Sequence, residues 1–194
     1  MPKNRRIRNR TTHFIDILSL GEGSEKGAAF RHAQENPEKR IVAVSIGKPN
    51  YEVPPNMKYI QRNAISHVQS LQANSVRTIV DNYFFHFSIY GTRNMAEEVK
   101  KWRKDPKVLH EAMVKRPKKY VWSVMRALVP GGSFIITTDE KTRVPIGNIL
   151  QEVGFTVSSR VLTKEEILKS GSESAKRDLE RGKLVTLIIA TKPE

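Results

Sequence analysis

Cysteine is absent from all 194 residues, which excludes disulfides and every metal site built on thiolates. That absence suits a reducing compartment, and a cytoplasmic protein is expected. Histidine is scarce as well. The five present are scattered, with no pair at ligand spacing, so no metal centre is expected. No apolar run approaches the ~18 residues needed to span a bilayer. Ser19 lacks the glycine-flanked elbow of a hydrolase nucleophile, so hydrolytic chemistry has no support. There are no repeats, no low-complexity segments and no visible domain boundary, and the length suits one domain that buries its own core.

Acidic residues are also few, 20 against 34 Lys and Arg, for a net charge of +14. The excess is concentrated. Met1–Arg10 holds five basic residues, among them Arg5, Arg6 and Arg8, and no acid. Arg93–Arg126 holds eleven basic residues and four acids. Clustered positive charge of this size usually meets a polyanion, most commonly nucleic acid, although a solubilising surface would look similar. Within the second segment Lys100, Lys101, Arg103, Lys104, Lys115, Arg116, Lys118 and Lys119 are interleaved with Trp102, Tyr120 and Trp122. That mixture can hold phosphates while stacking bases. The plainer alternative is a solvated helix face with both tryptophans in the core. The basic N-terminus is too short for a transit peptide and reads as an arm over residues 1–12, followed by one domain over 13–194 with a basic helical segment at 93–126.

An apolar stretch, Ile15 to Leu20, stops at Gly21-Glu22-Gly23-Ser24-Glu25-Lys26-Gly27, and a helical pattern follows. Glycine there permits positive φ and brings the backbone close to a ligand, and a helix opening behind it presents unpaired N–H groups. The spacing is G-x-G-x-x-x-G, with Lys26 where a dinucleotide fingerprint places its third glycine. Merely capping a strand and packing a helix would use the same glycines.

Strand-like and helix-like segments alternate along the chain, predicting an α/β, doubly wound, mostly parallel sheet with helices on both faces. Strands are expected at Phe14–Leu20, Ile41–Ile46, Met57–Arg62, Val76–Asn82, Ser133–Thr138, Phe155–Leu162 and Leu184–Thr191. Helices are expected at Lys26–Glu35, Ser66–Gln72, Val144–Val153 and Lys164–Arg181, the last broken at Gly171. Thr92–Leu128 reads as a long helical region interrupted by Pro106 and Pro117, and Pro130-Gly131-Gly132 as a tight turn before the fifth strand.

This order resembles the class I S-adenosylmethionine-dependent methyltransferase family from Phe14 to Lys192. The glycine loop is similar to the family's first motif, Val42–Ile46 to its second strand, and Gln61-Arg62-Asn63-Ala64 to the segment that meets the adenine. Val80-Asp81-Asn82-Tyr83-Phe84 falls at the end of the fourth strand, and Leu128-Val129-Pro130-Gly131-Gly132 resembles the "LkPGG" turn. Ser75–Phe84, Thr137-Thr138-Asp139 and Ser170–Glu173 bear a nearer likeness to tRNA 7-methylguanosine methyltransferases. Two departures stand out. The "PDPW" of those enzymes is replaced by Phe84-Phe85-His86-Phe87, and Ser45 stands where the family carries a ribose-binding acid.

The resemblance implies S-adenosylmethionine as cofactor, held by Gly21, Glu22, Gly23, Gly27, Ser45, Ile46, Asn63, Ala64 and Asp81. It also implies an RNA partner. Asp81 and Asn82, at the carboxyl end of a central strand, are the candidate catalytic pair, with His86 as a further acid or base. Turn and capping roles would use the first two equally well. Asn63 is either an adenine contact or an ordinary turn residue. Tyr83 and Phe84 could stack on a flipped base, and Asp139, matching the "TD" after the family's fifth strand, is implied as a further substrate-binding residue. Asp16, inside the first strand, is read as lying near the cofactor end. An RNA methyltransferase is the leading expectation. A non-catalytic RNA- or ribosome-binding protein on the same scaffold is the alternative, and a small-molecule or protein methyltransferase a second one.

Overall fold

The computed structural model describes residues 14–21, 26–82, 115–170 and 172–194. They form a seven-stranded sheet in the order β3-β2-β1-β4-β5-β7-β6. Strands β1 (Ile15–Leu20), β2 (Ile41–Ser45), β3 (Met57–Gln61), β4 (Val76–Asn82) and β5 (Leu128–Asp139) run parallel. Strand β7 (Val185–Thr191) inserts antiparallel between β5 and β6 (Thr156–Val161). The expected mostly parallel α/β sheet is therefore present.

Central strands covered on both faces must be apolar at nearly every position. All five residues of β2, Ile-Val-Ala-Val-Ser, are buried. Leu18, Leu20, Val42, Val44 and Ile79 join one core with Val121, Val124, Ile146 and Leu150. Those helical residues come from α3 (Arg116–Ala127) and α4 (Glu140–Val153), beside α2 (Ala64–Ser70). Ile17, Ile41, Ala43 and Val80 face the other way, onto Ala29 and Ala33 of α1 (Ala28–Glu35). On that second side Val185 also packs with Ile167 of α5 (Lys164–Ser170) and Ala175 of α6 (Glu173–Glu180). Each fully buried Leu or Ile contributes about 1.5–3 kcal/mol, so the two cores fix which face each helix covers.

Several boundaries differ from the sequence expectation for local reasons. Helix α4 starts four residues early because the Asp139 carboxylate caps it, accepting from Thr142 N at 3.0 Å. Helix α1 starts two residues late, with Gly27 as its N-cap. Pro130-Gly131-Gly132 is not a turn ahead of the strand but a bulge within β5: pairing with β4 already begins at Val76↔Leu128 and slips before Thr78. A Cβ on Gly132 would lie 2.8 Å from Val129 O and 2.9 Å from Arg77 O, so only glycine lets the chain pass there. Of the long helical region expected over Thr92–Leu128, the part before Lys115 lies outside the described residues. No helix among the described residues is long and apolar enough to cross a membrane.

Candidate active site at the carboxyl edge of the sheet

Parallel strands end together. The register sets Leu20 beside Asp81, Asn82 beside Thr137, and Ser45 beside Gln61. The ends of β1, β2, β3, β4 and β5 therefore make one edge, where open α/β sheets hold ligands. Gly21 leaves β1 with φ +77°, a conformation glycine tolerates and other residues rarely adopt. Its N–H donates to Val44 O at 2.9 Å, which ties the start of the loop to β2. Glu22 and Gly23 lie outside the described residues. Beyond them Gly27 opens α1; among the described residues no side chain caps it and no acid stands in its first turn, so nothing described there takes up its first amides.

The β2 end is equally well held. Arg62 N donates to Ser45 O at 2.8 Å, and Gln61 Nε2 donates to Ile46 O at 3.1 Å. These bonds lock the turn and leave the Ile46 side chain 77% exposed, an unusual position for an isoleucine. Ser45 itself is buried, on the α1 side of the sheet. Next to them Asn63 caps α2, its Oδ1 accepting from Ser66 N at 3.1 Å. An amide oxygen has two lone pairs, so the cap leaves one acceptor site on Asn63. Ala64, the first residue of α2, is buried.

Asp81 is wholly buried and points toward α3, where Tyr120 donates its hydroxyl to Oδ2 at 3.4 Å. Burial, then the Asp81 charge, hold the Tyr120 hydroxyl well above its ordinary pKa, so it stays a donor. The sequence offered Tyr120 as an aromatic of the basic run, suited to stacking a base; at 1% exposure it is instead a core residue bonded to Asp81. The signal for that is placement, as an aromatic in register with Pro117, Val121 and Val124 on the apolar stripe of a basic helix.

Other expected residues are distributed differently. Asp16 is near the amino end of β1, not the cofactor end. At about 3.3 Å per strand residue it lies roughly 16 Å from Gly21 along the strand. Its carboxylate accepts from Arg40 N at 3.0 Å, which joins β1 to the start of β2. Asp139 reaches the carboxyl edge, but its carboxylate is engaged in capping α4. Lys115, Arg116 and Lys119 are exposed on α3, and Lys118 pairs with Glu152 at 3.1 Å. Tyr83, Phe84, His86, Lys100, Lys101, Arg103 and Lys104 lie outside the described residues, as do Arg5, Arg6 and Arg8. Among the described residues there is no group of three or more His, Asp or Glu side chains able to hold a metal ion.

No protein-family model matches the sequence, and no curated protein matches it either. Solved structures do share its architecture. The 16S rRNA methyltransferase KamB superposes with a TM-score of 0.61 at 13% identity, over 94% of this chain and 90% of that one. A 1,6-didemethyltoxoflavin-N1-methyltransferase of Burkholderia thailandensis, crystallised with S-adenosylhomocysteine, gives 0.56 at 12%, over 94% and 72%. The [4+2]-cyclase SpnF gives 0.53 at 11%, over 93% and 76%. These chains act on unlike substrates, and one is named for a different reaction, so at such identities the likeness speaks for architecture alone. The chain has the fold of the class I S-adenosylmethionine-dependent methyltransferases.

Proposed function

We propose that the protein is an S-adenosylmethionine-dependent methyltransferase acting on a base of tRNA or rRNA. The carboxyl edge fits that cofactor in three respects. Gly21 offers an open backbone at positive φ beside the start of α1, which no described side chain caps. The Ser45 hydroxyl would hold one ribose hydroxyl, without the charge of the acid usual in the family. Ile46 presents an exposed apolar side chain against which an adenine would pack, with Asn63 and Ala64 flanking it. When bound, the cofactor supplies a methyl group on a sulfonium, open to in-line displacement. This chain's own task is then alignment: a nucleophilic ring nitrogen with a free lone pair needs orientation more than a base. Asp81 and Asn82 at the end of β4 are our candidates for that task; Asp81, buried against Tyr120, would act from beneath the edge by fixing the end of the strand.

The observation that carries RNA as substrate is α3. The helix runs antiparallel to the strands, so it starts at the carboxyl edge, and Lys115, Arg116, Lys118 and Lys119 fall there with no acid in the first turn. The likeness of Ser75–Phe84 to tRNA 7-methylguanosine enzymes supports tRNA within that class. Ser45 favours a second reading, an RNA-binding protein that has lost methyl transfer. Replacing the acid weakens cofactor binding by about 1–3 kcal/mol.

Calorimetry with S-adenosylmethionine and S-adenosylhomocysteine separates the two. Micromolar binding, with transfer of labelled methyl to tRNA or rRNA transcripts, is expected. RNA binding with no cofactor heat would establish the second reading instead.

A further inference from the structure

Trp122 projects into solvent, 54% exposed, from the outer face of α3. It lines an open groove of about 610 Å³ with Gln69, Lys119, Ser123, Met125, Arg126 and Lys192. Lys115, Lys119, Trp122 and Arg126 are spaced i, i+4, i+7, i+11, which puts them in one stripe along the helix. The stripe starts at the carboxyl edge and runs down the flank of the sheet. At its far end Arg126 donates to Gln69 O at 2.8 Å and Leu71 O at 3.0 Å. Lys192, alongside, donates to Leu128 O at 2.7 Å and Asn74 Oδ1 at 2.8 Å. Those two cations brace the groove floor. The Lys119 ammonium and the Trp122 indole N–H have no such duty among the described residues.

Two physical facts indicate what the stripe meets. A half-exposed indole keeps an apolar face and an N–H available to a partner, which is why tryptophan is enriched at interfaces. Cations in the first turn of a helix oppose its macrodipole; Lys118 is offset by Glu152, whereas Arg116 and Lys119 beside it cost stability in isolation. An anion laid along that turn reverses the sign. A second copy of this chain is disfavoured, because with a net charge of +14 it would bring like charges together.

We propose that the outer face of α3 is a track for unpaired RNA, on which one base stacks against Trp122 while Lys115 and Lys119 hold flanking phosphates. The track rests on the RNA reading above and extends it away from the methyl-transfer edge. Unpaired nucleotides fit because a duplex hides its base faces, whereas single strands and loops offer them to aromatic side chains.

The test uses the full chain carrying Trp102→Phe, which leaves Trp122 as the only tryptophan. An oligouridine should quench its fluorescence, and a duplex RNA of equal length should quench it much less. Trp122→Ala should weaken oligouridine binding roughly five- to hundredfold, the range of one base–aromatic stack, with the salt slope unchanged. Trp122→Phe should restore most of the affinity, which a merely structural role would not require. Lys119→Glu should instead flatten the salt dependence. Unquenched fluorescence with normal oligouridine affinity would overturn the track while leaving the RNA reading intact. Failure to bind any RNA would overturn both. Equal quenching by polyglutamate would overturn it in favour of an acidic protein partner.

Discussion

At Asp81 a carboxylate sits in the core with no exposure, three residues after the last polar position on its strand, and one of its contacts is a hydroxyl donated from another element. A buried charge is tolerable only when its hydrogen bonds are made, and the phenol of Tyr120 supplies one of them. Tyr120→Phe should destabilise the protein by about 1–3 kcal/mol in urea unfolding, because it leaves a buried acceptor short of a donor. The pH dependence follows from the raised pKa of Tyr120. A phenol that holds its proton more tightly when folded contributes stability below its ordinary pKa of 10.0, and that contribution is lost as pH rises further. Urea midpoints of the wild type should therefore fall above about pH 10, and Tyr120→Phe should lack that component. Gly21 gives a second prediction at the same scale. With φ at +77°, Gly21→Asp strains the backbone by about 1–2 kcal/mol and sets a side chain and a negative charge in the proposed cofactor loop. Cofactor heat should vanish while the far-ultraviolet circular dichroism stays native. Normal binding by the variant would remove Gly21 from the site.

At the scale of elements, ends matter more than middles. Helix α5 opens on a reciprocal cap: Glu166 N donates to Thr163 Oγ1 at 3.2 Å, and Thr163 N donates to Glu166 Oε2 at 2.9 Å. Arg160 adds a two-pronged contact at 2.8 and 2.7 Å, and chiefly through it the Glu166 carboxyl is lowered to about 2. A depressed carboxyl contributes stability above its ordinary 4.5, and that contribution is lost as pH falls toward 2. The Glu166 carboxyl carbon should titrate near 2 by NMR, and Glu166→Gln should flatten the acid side of the melting profile. The β5 bulge gives a steric counterpart. Gly132→Ala should cost about 1–3 kcal/mol, because the backbone oxygens of Val129 and Arg77 have no rotamer with which to make room. Thermal unfolding would show it as a lowered Tm. Such ends were the least legible features. The caps of Asp139 and Asn63 use side chains that, in a list of residues, look equally suited to a ligand. Middles were easier: the β-branched runs of β2 and β4 have no other stable use than buried parallel strand.

The whole molecule is organised by charge as well as by apolar burial. Two basic segments hold most of the net charge, and the described end of the second, α3, leads from the carboxyl edge of the sheet along its flank. Phosphate binding by such surfaces weakens with salt through counterion release. Deleting Met1–Arg10 should therefore reduce RNA affinity and flatten its salt slope, while cofactor affinity stays unchanged in calorimetry. An unchanged RNA affinity would exclude the arm from the interface.

Composition and order, taken alone, determined the α/β class, the mostly parallel sheet, the glycine that ends β1 and the clustering of positive charge. All of these are local or additive: periodicity, turn chemistry and counts of charge survive without coordinates. The pairing of Asp81 with Tyr120 across 39 positions was decided only in three dimensions. So were the exposure of Trp122 and Ile46, the retreat of Asp16 to the far end of its strand, and the meeting of Arg126 with Lys192 in one groove. Which side chain is buried, and against what, depends on how strands register and which face each helix covers. Those choices are made by the packed core as a whole and are written in no single segment.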